Sequence, residues 1–157
     1  MNYIGLSTCD ASNGPGMRVS LFCSGCTLRC PGCFNEESWD FRAGKPFTDE
    51  TLRTILQALD EPYIEGLSLL GGDPMEPANE PDILRIVQAV REKFGRTKTI
   101  WLWTGRRYEK VRTSPVFDYI DTVVDGPYVE KLHVKEQGTW FGSTNQRVIA
   151  LRDVRGR

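Results

Sequence analysis

The sequence has almost no net charge, a single histidine and no long apolar run, and these shortages bear on its partners. Its 20 lysines and arginines balance 21 aspartates and glutamates, leaving a net charge of -1. Such a chain has no general attraction to a nucleic-acid backbone. No apolar run approaches the ~18 residues that a membrane-spanning helix requires. Neither nucleic acid nor a membrane is therefore expected as a partner.

The cysteines are few and clustered, which bears on the cellular compartment. Five is an odd number, and no charged-then-apolar leader precedes them, so a secreted disulfide framework is not expected. The chain is predicted to be cytoplasmic and to form one domain over residues 1–157, with enough apolar residues for a substantial core. Its only histidine, His133, lies in a polar stretch and is expected to be solvated, so no acid–base catalytic pair is predicted.

Apolar runs typical of strands alternate with amphipathic segments typical of helices, which indicates an α/β fold. The predicted strands are 18–23, 66–70, 99–103, 119–124 and 147–151. The segment 18–23 is expected to be the first strand of the chain. The predicted helices are 48–59, 81–94 and a short stretch at 108–111. Strands joined by helices predict a mostly parallel sheet with functional residues at the carboxyl ends of its strands. A closed eight-stranded barrel needs roughly 250 residues, so this chain is expected to form an incomplete barrel with one side open.

The run Cys26-Thr-Leu-Arg-Cys30-Pro-Gly-Cys33 supplies three thiolates at a spacing suited to an iron–sulfur cluster. Clusters that only carry electrons are normally closed by four cysteines, so a three-cysteine loop leaves one iron free for a substrate. A zinc site using Cys23 is disfavoured, because only three residues separate the two Cys-x2-Cys pairs. A closed electron-transfer cluster with Cys23 as fourth ligand stays open, although Cys23 ends an apolar run and is expected to pack as a small hydrophobe. Cys9 stands apart, and packing or exposure is its expected role.

A second motif, Gly71-Gly72-Asp73-Pro74, follows the predicted strand 66–70. Glycines allow a backbone to approach a ligand closely, and free backbone groups can bind an ammonium. Taken alone, this motif is typical of an ordinary turn. The cysteine run, followed directly by the aromatic Phe34, resembles the cluster loop of the radical S-adenosylmethionine (SAM) enzymes. Together with that run, the glycine motif resembles the segment of those enzymes in which glycines hold the amino group of SAM. Asp73 stands where many members of that family carry glutamate.

Further segments narrow the resemblance and extend it over nearly the whole chain. Those near the amino terminus resemble the signature of enzymes that activate glycyl-radical proteins: Asp10, Asn13-Gly-Pro-Gly16, Arg18, Asn35 and Ser38-Trp39. Three later segments are similar to the activating components of anaerobic ribonucleoside-triphosphate reductases: Trp101-Leu-Trp-Thr-Gly105, Val124-Asp-Gly-Pro-Tyr128 and Gly142-Ser-Thr-Asn-Gln146.

The resemblance implies an incomplete barrel of the radical SAM type and a [4Fe-4S] cluster held by Cys26, Cys30 and Cys33. It also implies SAM as the second cofactor. The residues expected to contact SAM are Gly32, Cys33, Phe34, Gly71, Gly72, Asp73 and Thr104. Cluster and SAM would carry the chemistry: one electron cleaves SAM to methionine and a 5′-deoxyadenosyl radical, which takes a hydrogen atom from a glycine of the partner.

The implied partners are the large subunit of the anaerobic ribonucleoside-triphosphate reductase and a low-potential electron donor such as flavodoxin. Residues 126–146 are predicted to form a surface loop beside the open side, where the reductase would dock. Arg18 is expected to pair with a carboxylate or to position Asp10. An activating enzyme for another glycyl-radical protein, such as pyruvate formate-lyase, is the alternative within the same family.

Overall fold

Seven strands form a single sheet in the computed structural model, which describes residues 1–33, 35–136 and 138–154. The strands are β1 (Asn2–Asp10), β2 (Arg18–Cys23), β3 (Lys45–Pro46), β4 (Gly66–Gly71), β5 (Thr99–Trp103), β6 (Thr122–Asp125) and β7 (Arg147–Ala150). The α-helices within the described ranges are α1 (Asp49–Leu59), α2 (Glu80–Phe94), α3 (Tyr108–Val111) and α4 (Leu151–Val154). Short 3-10 helices cover Glu36–Ser38, Pro115–Asp118 and Glu130–Leu132.

The sheet has the spatial order β3-β1-β2-β4-β5-β6-β7, and only its central part is parallel. Strands β2, β4, β5 and β6 pair in parallel, with α1, α2 and α3 in the connections between them. Pairing at both sides is antiparallel, where β1 joins β2 and β7 joins β6. In the described part of the chain β3 and β7 end the sheet without pairing to each other, so the sheet is open.

The predicted α/β class is confirmed, and three details of the prediction are wrong. Strand β1 precedes β2, which was expected to be the first strand. The loop 11–17 between β1 and β2 is too short for a helical crossover, so the two strands pair antiparallel. The strand predicted at 119–124 begins only at Thr122, because a 3-10 helix ends at Asp118 and Asp121 uses its carboxylate to accept from the Ile100 amide. At the carboxyl end Leu151 starts a helix instead of ending β7.

The predicted helices agree closely with the structure. Helix α1 begins after Thr48, whose side chain accepts a hydrogen bond from the Thr51 amide and so caps the first turn. Helix α2 ends at Phe94 and is followed by Gly95, whose φ of 61° is in the region that favours glycine. The short helix at Tyr108–Val111 is also present.

One face of the sheet packs against α1 and α2 and carries the main apolar core. This core includes Val19, Leu21, Leu67, Leu69, Ile100, Leu102 and Val123 from the strands and Ile55, Leu59, Ile83, Ile86, Val87 and Val90 from the helices. Because strand residues alternate between faces, the opposite face of the same strands carries a second set. That set is more polar and includes Arg18, Ser20, Ser68, Trp101 and Thr122, all of them buried.

Arg18 is fully buried on this second face, and its hydrogen-bond partners among the described residues are neutral oxygens instead of the expected carboxylate. Its guanidinium donates to the Ser68 hydroxyl at 2.8 Å, to the Thr99 hydroxyl and carbonyl, and to the carbonyls of Pro15 and Leu67. Burial lowers the pKa of Arg18 to about 10, although the charges of Glu65 and Asp121 oppose that shift. Its role is to fasten the loop after β1 to the starts of β2, β4 and β5.

No helix in the described ranges is long and apolar enough to cross a membrane.

Candidate cluster-binding site

A cavity of about 370 Å³ opens where the carboxyl ends of the parallel strands meet the loops that follow them. Three of its walls come from the loop after β2, the turn after β4 and the turn after β5. Its lining includes Ser12, Asn13, Cys26, Leu28, Cys30, Cys33, Asn35, Leu70, Gly71, Gly72, Trp103, Thr104, Gly105, Val124, Tyr128, Glu136, Gly138, Thr139, Trp140, Phe141, Gly142 and Gln146. The position agrees with the general rule that sites in such sheets form at the carboxyl ends of the strands.

Cys26, Cys30 and Cys33 all line this cavity, and each is a free, half-buried thiol. Burial raises the pKa of Cys26. Cys23 is 1% exposed and lies outside the cavity, and burial, followed by the charge of Asp73, raises the pKa of its thiol far above the usual range. Cys9 is exposed on β1. The expected packing role of Cys23 therefore agrees with its burial.

Hydrogen bonds donated by backbone amides hold both ends of the cysteine loop. At its start the Gly25 amide donates to the Ser38 carbonyl at 2.6 Å, and the Cys26 amide donates to the Trp39 carbonyl at 3.2 Å. At its end the Asn35 amide lies 3.5 Å from the sulfur of Cys33, as a donor to a thiolate would. The loop is thus held in a cavity-facing shape by the segment that follows it.

Gly71 and Gly72 line the cavity, and close packing against the cysteine loop requires both to be glycine. Gly71 has a φ of 108°, and a Cβ there would lie 2.5 Å from the Cys23 amide nitrogen. A Cβ on Gly72 would lie 2.6 Å from the Gly25 carbonyl oxygen. The Gly72 amide donates to the Cys23 carbonyl at 2.7 Å. The glycine motif and the cysteine loop therefore form one packed unit.

Asp73 is fully buried, and its carboxylate is engaged by protein donors. It accepts from the Thr104 hydroxyl at 2.9 Å, from the Gly105 amide at 3.1 Å and from the Arg106 guanidinium at 2.8 Å. Burial raises the pKa of Asp73, and these hydrogen bonds offset that effect only in part. Thr104 lines the cavity, whereas Asp73 lies behind it.

Three polar residues that the sequence analysis did not single out complete this arrangement. Glu76 is 3% exposed and accepts from the amide and hydroxyl of Thr27, at 2.6 and 2.8 Å. Arg106 pairs with Glu76 at 3.1 Å as well as with Asp73. Asn79, 1% exposed, donates to the carbonyls of Ser24 and Asp73. Glu76 and Asn79 follow Asp73 by three and six residues, and polar residues so close to the glycine motif are the signal that could have identified them.

Glu136 and residues 138–142 line the cavity and form a wall segment that carries Trp140. Trp140 has a φ of 67°, which is rare for a bulky residue, and its carbonyl accepts a hydrogen bond of 2.7 Å from the Trp103 indole. The Trp140 ring packs edge-on against the Trp101 ring, with 6.2 Å between the two ring centroids. Further along, Gln146 accepts from the amides of Gly142 and Ser143. Described residues of the segment 126–146, which was expected to be a surface loop, therefore line part of the cavity.

Gly32, which was predicted to contact SAM, is not among the described residues that line the cavity. Gly32 is exposed, and a Cβ there would meet the carboxylate of Glu130. Phe34 lies outside the described residues. His133 is exposed and forms a hydrogen bond with the Tyr128 hydroxyl. Asp10 accepts from Ser12 and Asn13.

The three thiols of the cysteine loop are the donor set that a [4Fe-4S] cluster requires. In such a cluster each thiolate binds a different iron, so three ligands surround a volume instead of meeting at a point. Among residues 1–33, 35–136 and 138–154, no three cysteine, histidine, aspartate or glutamate side chains already meet at a single-ion site. The three thiols border one cavity, and a backbone amide lies beside one of them.

Comparison with known proteins agrees with this chemistry. The model of the 4Fe-4S single cluster domain family matches residues 12–149. The anaerobic ribonucleoside-triphosphate reductase-activating protein of Enterobacteria phage T4 is 42% identical over 153 residues, which is 98% of this chain and 96% of the relative. The protein of the same name from Escherichia coli K12 is 42% identical over 157 residues, 97% of this chain and 100% of the relative. That from Vibrio cholerae is 40% identical over 150 residues, 93% of this chain and 96% of the relative. As the resemblance of its motifs predicted, the chain belongs to the family of anaerobic ribonucleoside-triphosphate reductase-activating proteins.

Proposed function

We propose that the chain activates an anaerobic ribonucleoside-triphosphate reductase by generating a glycyl radical on its large subunit. The observation that carries the proposal is the common cavity, in which Cys26, Cys30 and Cys33 line one side and Gly71 and Gly72 another. The relatives are named as activating proteins of that reductase, and they match this chain over nearly its whole length.

In this proposal Cys26, Cys30 and Cys33 hold a [4Fe-4S] cluster, and the fourth iron is left for SAM. When bound, the reduced cluster would supply the electron for cleavage of SAM into methionine and a 5′-deoxyadenosyl radical. Transfer of a hydrogen atom from a glycine of the reductase to that radical would yield 5′-deoxyadenosine and the glycyl radical. An external low-potential donor, such as flavodoxin, must supply each electron.

The role of the protein is to bind, orient and exclude water. Backbone groups of Gly71 and Gly72 line the cavity beside the cysteine loop and are suited to hold the amino group of SAM. Thr104 also faces the cavity, whereas Asp73 acts through Thr104 and Arg106, because its carboxylate is already engaged by them. No acid–base pair is required, since the reaction moves a hydrogen atom.

The open sheet suits a protein substrate. An incomplete barrel of the radical SAM type leaves one side open, so that a glycine-bearing loop of another protein can reach the cavity.

Anaerobic reconstitution tests the proposal. The protein is loaded with iron and sulfide, reduced and given SAM, and 5′-deoxyadenosine is measured with and without the reductase. We expect product from the wild type and from Cys23→Ala, and none from Cys30→Ala. Equal loss of iron from the two variants would instead favour a closed four-cysteine electron-transfer cluster. Cleavage of SAM with radical formation only on another glycyl-radical protein would indicate a different partner.

A further inference from the structure

Arg106 lies between two buried carboxylates behind the cavity. Its Nη1 is 2.8 Å from Oδ2 of Asp73, and its Nη2 is 3.1 Å from Oε1 of Glu76. Asp73 is fully buried and Glu76 is 3% exposed, while the side chain of Arg106 is 21% exposed. Charge-assisted hydrogen bonds in so dry a setting are stronger than those at a surface. One guanidinium thus ties the turn after β5 to the turn after β4.

The same group of charges reaches the cysteine loop through Thr27. Oε1 of Glu76 accepts from the Thr27 amide at 2.6 Å and from its hydroxyl at 2.8 Å, and Nη2 of Arg106 lies 3.5 Å from that hydroxyl. Thr27 directly follows Cys26, so these bonds fix the peptide that carries the first cysteine. Residues 76 and 106 therefore act on the loop from outside the cavity.

We propose that Arg106 and Glu76 are positioning residues that hold Cys26 in its place at the cluster. This inference rests on the proposed function, because it assumes that the cysteine loop holds a [4Fe-4S] cluster. The Arg106 guanidinium keeps the Glu76 carboxylate in line with Thr27, and that carboxylate holds the peptide beside Cys26. With both carboxylates ionised, the group of Asp73, Glu76 and Arg106 carries one net negative charge behind the loop. Negative charge near a cluster disfavours the added electron and lowers the reduction potential.

The test compares matched variants of the reconstituted protein. Arg106→Gln removes the bridge, and Arg107→Gln removes the same charge from the exposed neighbouring residue. The first readout is the rate at which iron is lost to a chelator, which does not depend on activity. We expect at least a fivefold faster loss in Arg106→Gln and the wild-type rate in Arg107→Gln. Equal rates in the two variants would overturn the inference.

Two further variants keep the test decisive if Arg106→Gln does not fold with two uncompensated buried carboxylates. Thr27→Val removes only the hydroxyl on the loop side and is expected to speed iron loss, whereas Thr27→Ser restores the slow rate. Glu76→Gln keeps an oxygen for the Thr27 amide but removes one negative charge, so the reduction potential is expected to rise. An iron-loss rate in Thr27→Val equal to that of the wild type would overturn the positioning role. An unchanged potential in Glu76→Gln would overturn the effect of the charge.

The failure of this inference can be told apart from that of the proposed function. If the wild type binds the cluster but does not cleave SAM, the proposed function fails, while the iron-loss rates still report on Arg106. If the wild type cleaves SAM and Arg106→Gln retains the wild-type rate of iron loss and potential, only the positioning role fails.

Discussion

The indole nitrogen of Trp103 donates a 2.7 Å hydrogen bond to the carbonyl of Trp140, and this contact fastens the wall segment to the end of β5. Trp140 holds a φ of 67°, a conformation that a bulky residue adopts only when its surroundings impose it. The bond from Trp103 is one such constraint. It connects the end of a strand to residues 138–142, which line the cavity.

Trp103→Phe keeps an aromatic ring but removes this hydrogen bond. We expect a loss of about 1 kcal/mol in the free energy of unfolding, together with faster amide exchange in residues 138–142. Urea unfolding and hydrogen-exchange mass spectrometry measure the two effects.

Trp39→Phe is the matched control, because the buried Trp39 indole nitrogen has no hydrogen-bond partner among the described residues. It is expected to leave exchange in 138–142 unchanged. Equal exchange in the two variants would show that the Trp103 bond does not hold the wall.

Gly72→Ala tests the packing of the glycine motif against the cysteine loop. The added Cβ would lie 2.6 Å from the Gly25 carbonyl oxygen, and the nearby atoms are backbone that cannot swing aside. We expect a loss of about 1–3 kcal/mol in stability and a lower iron content after reconstitution. Gly5→Ala is the control, since its Cβ would make only an ordinary 3.5 Å contact with Phe22. Full iron content in Gly72→Ala would contradict the packed arrangement.

Arg18→Met tests the buried guanidinium, which five hydrogen bonds hold against oxygens of the loop after β1 and of neighbouring strands. Removing it leaves buried acceptors without donors, so we expect a loss of about 3 kcal/mol in the free energy of unfolding. Arg42→Met is the control. Its ion pair with Asp40 is 3.8 Å long and its side chain is 93% exposed, so a change within about 0.5 kcal/mol is expected. Similar changes for both in urea unfolding would refute the role of Arg18.

The stability of the metal-free protein should depend on pH through Glu76. Burial alone would raise the pKa of Glu76, but hydrogen bonds from Thr27 and Arg106 outweigh it and hold the pKa below its usual value of 4.5. A carboxylate with a lowered folded-state pKa stabilises the fold above its unfolded-state pKa, and this stabilisation is lost as the pH falls through the folded-state pKa. Asp73 acts in the opposite direction, because burial raises its pKa.

The measurement is the difference in the free energy of unfolding between wild type and Glu76→Gln across this acid range. The wild type should be the more stable at pH 7, and its advantage should shrink below about pH 4.5. A difference that does not change with pH would contradict the lowered pKa of Glu76.

The parts of this fold that could be predicted from sequence are those with a strong local pattern. Helices α1 and α2 have regular apolar spacing, and the buried strands β2, β4 and β5 are short apolar runs, so each was located to within about two residues. Strand β1 was missed because it is only half-buried and contains polar and small residues along its length. Its antiparallel pairing with β2 depends on a contact between strands, which no local pattern specifies.

In the site, too, local sequence patterns could be predicted and contacts between distant residues could not. The cysteine spacing and the glycine motif are local signals, and the structure brings both to one cavity. The bridge from Asp73 through Arg106 and Glu76 to Thr27 joins residues that are 33, 30 and 49 positions apart in the chain. Such a bridge follows from the order of strands in the sheet and cannot be identified from sequence periodicity.

We propose that this chain generates a radical on a glycine of the reductase by way of SAM. The most direct measurement uses a reductase whose glycines carry deuterium at the α-carbon, mixed anaerobically with the reduced, cluster-loaded protein and SAM. We predict that deuterium appears in 5′-deoxyadenosine, together with a glycyl radical signal in the electron paramagnetic resonance spectrum of the reductase. Formation of 5′-deoxyadenosine without deuterium and without that signal would contradict the account.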